Sequence, residues 1–537
     1  MNTRRNSKFE NRNSKERTKS PAAEPVRISP ALLALAVAVL AWLLYAPALT
    51  ADFVWDARSK VLISDFIHDP ANLPDVLTGR VLTRDVLDNN RPGNLLSLMI
   101  DAALWGKRPA GYHATSVTLH AAVCAMLFLL LVRLLPAPGG TWPAFVAVLV
   151  FAVHPLNCEP VSEVSYREDL LVAASILVAL FAAMAFLRKP GLWRNLLLGG
   201  ICCLALLFGV SAKENGAAGP VVLGCYWLLW RRKEARLPWG CLLSAACLVV
   251  TGFLAARFTL RQEHSIIFTV PPPRLGGSLA NSLLIQLRIW AMEFSQVILP
   301  HDLCADYGPY SLRNFSLPLS IAVVALVGGM QIFLAFRDRL FAFGSVFFWA
   351  GLLPVSNIVP LFRPMADRFL YVPLAGVAVL LAQALFLARS LRPPARALVY
   401  GAAILWIGAA AVVTFRREAV WHDSLALWQD TASRNPFSNA AANNLGWALL
   451  DTHRNQDAAG SFARAIRLTA GADPDPWAGL ALASDAAGDS AAADADFRRA
   501  VALDARYAHP EELVRALTAE PEVAGKLEVL ARRNTKP

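Results

Sequence analysis

Charged side chains are scarce for a chain this long, at 17% of 537 residues against 56% hydrophobic ones. That poverty excludes a soluble globular protein of this size, and with a mean hydropathy of +0.43 the composition is that of a polytopic membrane protein. Cysteine is sparing too: of eight, Cys124, Cys202, Cys203, Cys225, Cys241 and Cys247 lie inside apolar runs, with no CxxC pair and no His-rich ligand spacing. A disulfide framework and a zinc site are therefore not indicated, and the thiols read as small packing residues. The formal charge of +11 does not imply nucleic acid, because Lys and Arg gather in short runs between apolar stretches, as in cytoplasmic loops.

The order of segments follows from hydropathy and charge. Residues 1–30 are polar, basic and poor in apolar side chains, which predicts a disordered cytoplasmic tail. The apolar run from Ala31 to Leu49 lacks a small-residue cleavage site and reads as a first span leaving the basic side. A proline-broken loop over residues 50–111 follows, with a semi-apolar helix from Asn94 to Trp105 along the membrane surface. Further spans are expected near 112–135, 142–154, 170–187, 195–210, 217–230, 239–256, 317–336, 341–359, 370–388 and 397–415, about eleven crossings in all. The segment Leu279 to Leu299 carries Gln286, Arg288, Glu293 and Gln296. Arg188 with Lys189, Arg231 to Lys233, Arg337 with Arg339, and Arg389 with Arg392 and Arg396 all fall on the cytoplasmic side only if it does not fully cross, so it reads as interfacial or re-entrant. The fold class expected is all-α: a membrane helical bundle over 31–415, then a soluble helical domain over 416–537 that lands extracytoplasmically.

That C-terminal region contains an internal repeat. Leu445, Ala458, Phe462 and Ala465 recur as Leu480, Ala493, Phe497 and Ala500, each pair offset by 35 residues, close to the ~34-residue tetratricopeptide period. Two helix-turn-helix units are predicted, with a lead-in helix pair over Trp421 to Pro436 and a capping helix over Pro510 to Arg533 covering otherwise open apolar faces.

With this topology the unusual polar clusters fall on one side of the membrane. Asp52 and Asp56 flank an aromatic, branched trio directly after the first span, where a carboxylate can serve as a general base. Arg91 follows, then His154, Glu159, Glu163, Arg167, Glu168 and Asp169, then Lys213 with Glu214. Asp302, Asp306, Tyr307, Arg363, Asp367 and Arg368 complete the list. Charges at membrane depth are costly, and a bundle with one charged rim commonly hosts a polar substrate there. Carboxylates suit proton abstraction, while Arg and Lys suit a phosphate.

These residues resemble a known family, the transmembrane and tetratricopeptide-repeat (TMTC) O-mannosyltransferases and their bacterial relatives within the GT-C glycosyltransferase superfamily. The likeness runs from about Ala31 to Tyr507 and is carried by DFVWD after the first span, RPGNLLSLMIDAALWGKRPAGYH, FAVHPLNCEPVSEVSYREDLL, SAKENGAAGP, the ILPHDLCADY block, LLPVSNIVPLFRPMADRFLYVPLAG, and WHDSLALW followed by NPFSNAAANNLG. The resemblance implies inverting transfer of a hexose, mannose favoured, from a polyprenyl phosphate sugar to a hydroxyl, Ser or Thr of a protein, at the outer face. It also implies that the lipid-linked donor is a co-substrate with no further cofactor, leaving a role for a divalent metal open. Asp56 matches the first residue of the family's paired-acid motif, the presumed base, with Asp52 beside it; the second acidic position holds Ala57, which weakens a two-carboxylate mechanism. Glu159, Arg167, Lys213 and Arg368 match positions expected to contact donor phosphate or acceptor, and Arg91, His154, Glu214, Asp306 and Arg363 join them as substrate-binding candidates on the same rim. The partners implied are a lipid-linked sugar, the bilayer of a bacterial inner membrane, and a protein acceptor gathered by the repeats. Two other readings share these features: a non-catalytic scaffold displaying the repeats, supported by Ala57, and a ligase moving whole lipid-linked glycans.

Overall fold

The computed structural model describes residues 28–186, 191–231, 236–264, 273–509 and 521–534. The tail up to residue 27 and the basic positions Arg188, Lys189, Arg232 and Lys233 lie outside them. The described residues are helical, with no strand among them.

Among the described residues, eight helices are long and apolar enough to cross a membrane: Pro30–Thr50, Pro109–Leu134, Val164–Ala185, Leu192–Ala212, Pro238–Thr259, Leu317–Arg337, Asp367–Ala388 and Pro393–Glu418. A ninth is counted if Thr141–Ala152 and Pro155–Ser162, which meet at 53°, form one broken span. Pro155 causes that break, since a proline ring inside a helix removes a donor and clashes with the preceding turn. The other two expected crossings correspond to shorter helices, Ala218–Tyr226 continued by Trp227–Arg231, and Arg339–Leu352. The latter buries Phe343, Phe347 and Phe348 among its neighbours. Leucines such as Leu35, Leu326 and Leu405 face outward from the bundle, as lipid-facing side chains do. Among the cysteines, Cys124, Cys158, Cys202 and Cys304 are buried, whereas Cys241 and Cys247 are exposed rather than packed. All eight are free.

Leu279–Ile298 forms one helix that is not among the eight long apolar helices. Its buried face is polar: Gln286 lies 2.8 Å from the Asn357 amide, and Gln296 donates to Tyr307 Oη at 3.2 Å.

After the last apolar helix, Ser424–Arg434 is one helix where the sequence suggested a pair; residues 419–423 form the connecting turn. The repeat units follow as Asn439–Asp451 with Asn455–Leu468, and Pro474–Ala486 with Ser490–Leu503. Every repeated position lands at the equivalent place: Ala458, Phe462 and Ala465 in one second helix, and Ala493, Phe497 and Ala500 in the other, are all buried. Glycine is required opposite Phe462, where a Cβ on Gly446 or Gly479 would come within 2.6 or 2.3 Å of its ring. The final helix is Pro521–Asn534, and residues 510–520 of the expected cap lie outside the described residues.

Candidate functional site

The first span ends in a turn whose geometry is set by Trp55. Its φ of 48° lies in the left-handed region, which for a bulky side chain costs on the order of 1–3 kcal/mol and persists only when surroundings hold it. Three rings hold it: Tyr166 and Trp428 meet Trp55 edge-on at 5.7 and 5.1 Å, and Trp421 stacks at 6.3 Å. Phe53 and Ala57 point into a small apolar cluster with Val61, Leu98, Tyr112 and Val164. Alternation around this turn leaves Asp56 outward, its side chain 36% exposed. Ala57 donates its amide to Glu163 Oε1 at 2.7 Å.

Asp56 is the start of a ladder of charges. Lys60, one helical turn on, lies 3.3 Å from Asp56 and 3.1 Å from Asp88. Arg91 reaches Glu168 at 2.7 Å and Glu214 at 3.3 Å. Lys213 bridges Glu168 at 3.0 Å and Asp169 at 2.5 Å, and Arg257 closes on Glu214 at 3.1 Å. Local sequence explains the meeting. Pro92 and Gly93 begin the first-loop helix Pro92–Trp105, and only glycine allows the approach, since a Cβ on Gly93 would lie 2.8 Å from the Ala212 amide. Arg91 is thereby set against Lys213, the residue ending Leu192–Ala212, and against Glu168 and Asp169 in the first turn of Glu168–Ala185. Carboxylates there complement the helix N-terminus.

A second cationic wall faces the same turn. Arg363 sits 5.2 Å over the Trp55 ring and pairs with Asp306, whose other oxygen accepts from Ser438 Oγ at 2.5 Å. Arg368 stacks at 3.8 Å on the Tyr166 ring, pairs with buried Glu159, and donates its amide to the same carboxylate at 2.9 Å. Burial would raise the Asp56 pKa, but the charges of Lys60, Arg368 and Arg363 outweigh it and hold the carboxyl below its usual range. Asp88 is held down likewise by Lys60 and Arg91 despite burial. Glu214 lies well below the usual range, because Arg91, Arg257 and Lys213 overcome its burial. Glu163, in the break between Pro155–Ser162 and the next span, is pushed up to about 8 by burial and then by the Asp56 charge. The outcome is an ionised, accessible carboxylate bordered by two arginines, an arrangement suited to accepting a proton beside a bound anion.

Most rim residues picked from sequence thus join the ladder and wall around Asp56; Asp302 does not, being exposed and paired with His301 at 3.5 Å and Arg313 at 4.0 Å, and three others stand apart. Asp52 is exposed and joined through its backbone, its amide donating to His422 O at 2.9 Å; among the described residues no ion pair reaches its side chain. Arg167 is fully buried and spends its guanidinium on Asp101, Tyr112 O at 2.9 Å and Val164 O at 3.0 Å, so it clips the first loop to the bend. His154 is buried as well, bonded to Val297 O at 3.1 Å and to the Leu156 amide at 3.3 Å, and caps the turn at Pro155. Sequence reasoning passed over Trp55, Lys60, Asp88, Trp421 and Trp428 as site residues. Lys60, four residues after Asp56, and Asp88, three before Arg91, carried a readable spacing; the tryptophans carried none.

The C-terminal region packs at this same end. Besides the Asp52–His422 bond, Arg58 pairs with Asp451 of the first repeat at 3.2 Å, and Arg417 joins Asp430 at 3.1 Å and Asp367 at 3.6 Å.

No protein-family model matches the chain. Among curated proteins it is 25% identical over 447 residues to a protein O-mannosyl-transferase of Caenorhabditis elegans, covering 79% of this chain and 61% of that protein. It is 24% identical over 504 residues to the protein O-mannosyl-transferase TMTC4 of Mus musculus, covering 82% and 67%, and 22% identical over 494 residues to TMTC1 of Homo sapiens, covering 76% and 53%. The chain is thus similar to TMTC O-mannosyltransferases and spans 61% of the length of the C. elegans protein. Among solved structures, ArnT from Cupriavidus metallidurans bound to undecaprenyl phosphate aligns over 94% of this chain and 89% of that one, at 12% identity and a TM-score of 0.41.

Proposed function

We propose that this chain is a membrane glycosyltransferase of GT-C type that transfers a hexose, mannose favoured, from a polyprenyl phosphate sugar to a Ser or Thr hydroxyl of a protein. The observation that carries the reading is the partly exposed Asp56 carboxylate, held ionised by Lys60, Arg368 and Arg363 at the end of the bundle where the repeats pack. Asp56 takes the proton from the acceptor hydroxyl as its oxygen attacks the anomeric carbon. The bond from that carbon to the phosphate oxygen breaks, inverting the centre, and the lipid phosphate leaves with its charge met by arginine. The bundle and rim over 31–415 form the catalytic unit, the repeats over 416–537 gather the acceptor, and both act on the extracytoplasmic side of a bacterial inner membrane with the N-terminus cytoplasmic. Leu279–Ile298 then lies at the interface.

The test is Asp56→Asn, which keeps shape and removes the base. Membranes holding the protein are given labelled polyprenyl phosphate mannose or glucose, and label in protein is counted. A loss of about 10²–10⁴-fold is expected from a missing general base; transfer within tenfold of the parent refutes the role. A scaffold reading is favoured by one observation: Arg91, Lys213 and Arg368 are already matched to carboxylates, so a donor phosphate must compete for them. No transfer from either sugar, with intact repeats, would support it. Label in lipid rather than protein would point to the glycan-ligase reading.

A further inference from the structure

Resting on the reading of Asp56 as base, we infer that Glu163 is a positioning residue that clamps the turn carrying Asp56. Glu163 is fully buried and touches no surface where a substrate could sit, so its work is internal. Its two oxygens face different pieces of the site. Oε1 accepts the Ala57 amide at 2.7 Å, shorter than that amide's 3.1 Å bond to Val54 O. Oε2 accepts the Tyr166 amide at 2.9 Å and the Ser165 hydroxyl at 2.7 Å. One carboxyl group therefore ties the residue after Asp56 to the residue whose ring walls in Trp55 on one side and carries Arg368 on its face.

The clamp answers a need that is visible in the backbone. Trp55 is held left-handed at φ 48°, a conformation that an unsupported chain would leave. Relaxation of Trp55 would swing Asp56 away from Arg363 and Arg368. The three rings hold the Trp55 side chain, but Ala57 offers only a single methyl group to the cluster beneath it, so the backbone after Asp56 needs a further tie. The buried Glu163 carboxyl, which accepts an amide on each oxygen, supplies that tie across 106 residues of sequence separation.

The experiment compares the full-length protein with Glu163→Ala and Glu163→Gln, purified in detergent or nanodiscs. Amide hydrogen exchange of peptides covering 51–62 and 163–170 reads the clamp directly and needs no activity. Exchange should quicken in those peptides for Glu163→Ala while the repeat helices stay protected. Glu163→Gln, which keeps one acceptor oxygen, should restore part of the protection. In the transfer assay Glu163→Ala should lower kcat about 100-fold, the cost of a small misplacement of a reacting group, with KM for the lipid donor within about threefold; Glu163→Gln should recover part of kcat. Unchanged exchange in 51–62, protection lost throughout the bundle in both variants, or a kcat within twofold of the parent each overturns the inference. If the parent transfers no sugar, the base reading falls and the exchange data alone decide the clamp. Should Glu163→Ala not fold, Glu163→Gln decides through exchange and kcat.

Discussion

The repeat helices and the rim around Asp56 are assembled by opposite means. In Asn439–Leu503 the buried core is built between helices close in the chain from small apolar side chains and a phenylalanine in each unit, so the same residues recur at a fixed offset. In the rim, ion pairs join residues such as Glu159 to Arg368 and Arg91 to Glu214 that are far apart in the chain. The contrast teaches where each is vulnerable. Apolar repeat packing fails by losing volume, whereas a charged rim fails when one partner is left buried and alone.

The largest way to sharpen that contrast is Phe462→Ala. Phe462 is fully buried against Gly446, Gly479 and Trp447 and is pressed by close backbone approach on both sides. A cost of about 3–5 kcal/mol is expected, confined to the repeats. Limited proteolysis should then cut within 439–503 while the bundle stays whole; equal loss of both regions would mean that they fold as one unit.

A smaller effect comes from pH. The Glu163 carboxyl is raised to about 8 in the folded protein, with Asp56 and Lys60 the charges that face it, against ~4.3 unfolded. A raised carboxyl pKa means the folded state holds its proton longer, so this contribution is complete below ~4.3 and is lost as pH rises towards 8, with a slope of at most ~1.4 kcal/mol per unit. Asp56 works the other way: its lowered pKa contributes stability above the usual carboxylate range that is lost as pH falls below it. Thermal unfolding in detergent should therefore show stability declining between pH 5 and 8 in the parent and a flatter profile in Glu163→Gln. An unchanged profile would refute the assignment.

Much of this was legible in the sequence for a physical reason. The 35-residue offset names the repeat positions because each unit meets the same neighbour environment, and Leu445 with Leu480, or Phe462 with Phe497, could be matched without any structure. Hydropathy marked the long spans and marked 217–230 as well, where the structure has only the short helices Ala218–Tyr226 and Trp227–Arg231. In the rim, sequence grouped the charges by side but could not separate Arg167 from Arg368. Both are buried arginines next to an acidic residue in the sequence; what divides them is that Arg167 spends its donors on backbone carbonyls and Asp101, while Arg368 lies on Tyr166 facing Asp56. Trp421 illustrates the same limit. In sequence it only begins the lead-in segment Trp421 to Pro436, yet its stacking partner is Trp55, at the other end of the bundle sequence.

The smallest expected effect asks whether the two regions communicate. Arg58 and Asp451 bridge the Asp56 loop to the first repeat at 3.2 Å, with side chains 29% and 41% exposed. A pair so placed contributes about 0.2–1 kcal/mol and is screened by salt. Arg58→Ala should thus leave overall stability nearly unchanged. If repeat occupancy by an acceptor is to be felt at Asp56, the route runs through this pair and through Trp421 and Trp428 against Trp55. The aromatic contacts do not depend on salt, so they should carry most of the coupling. Transfer measured from 50 to 500 mM salt separates the two: Arg58→Ala should match the parent within about twofold at high salt, where the pair is already screened. A persistent deficit at high salt would mean that Arg58 holds the loop by packing rather than by charge, and that the rim and the repeats are joined more firmly than their different construction suggests.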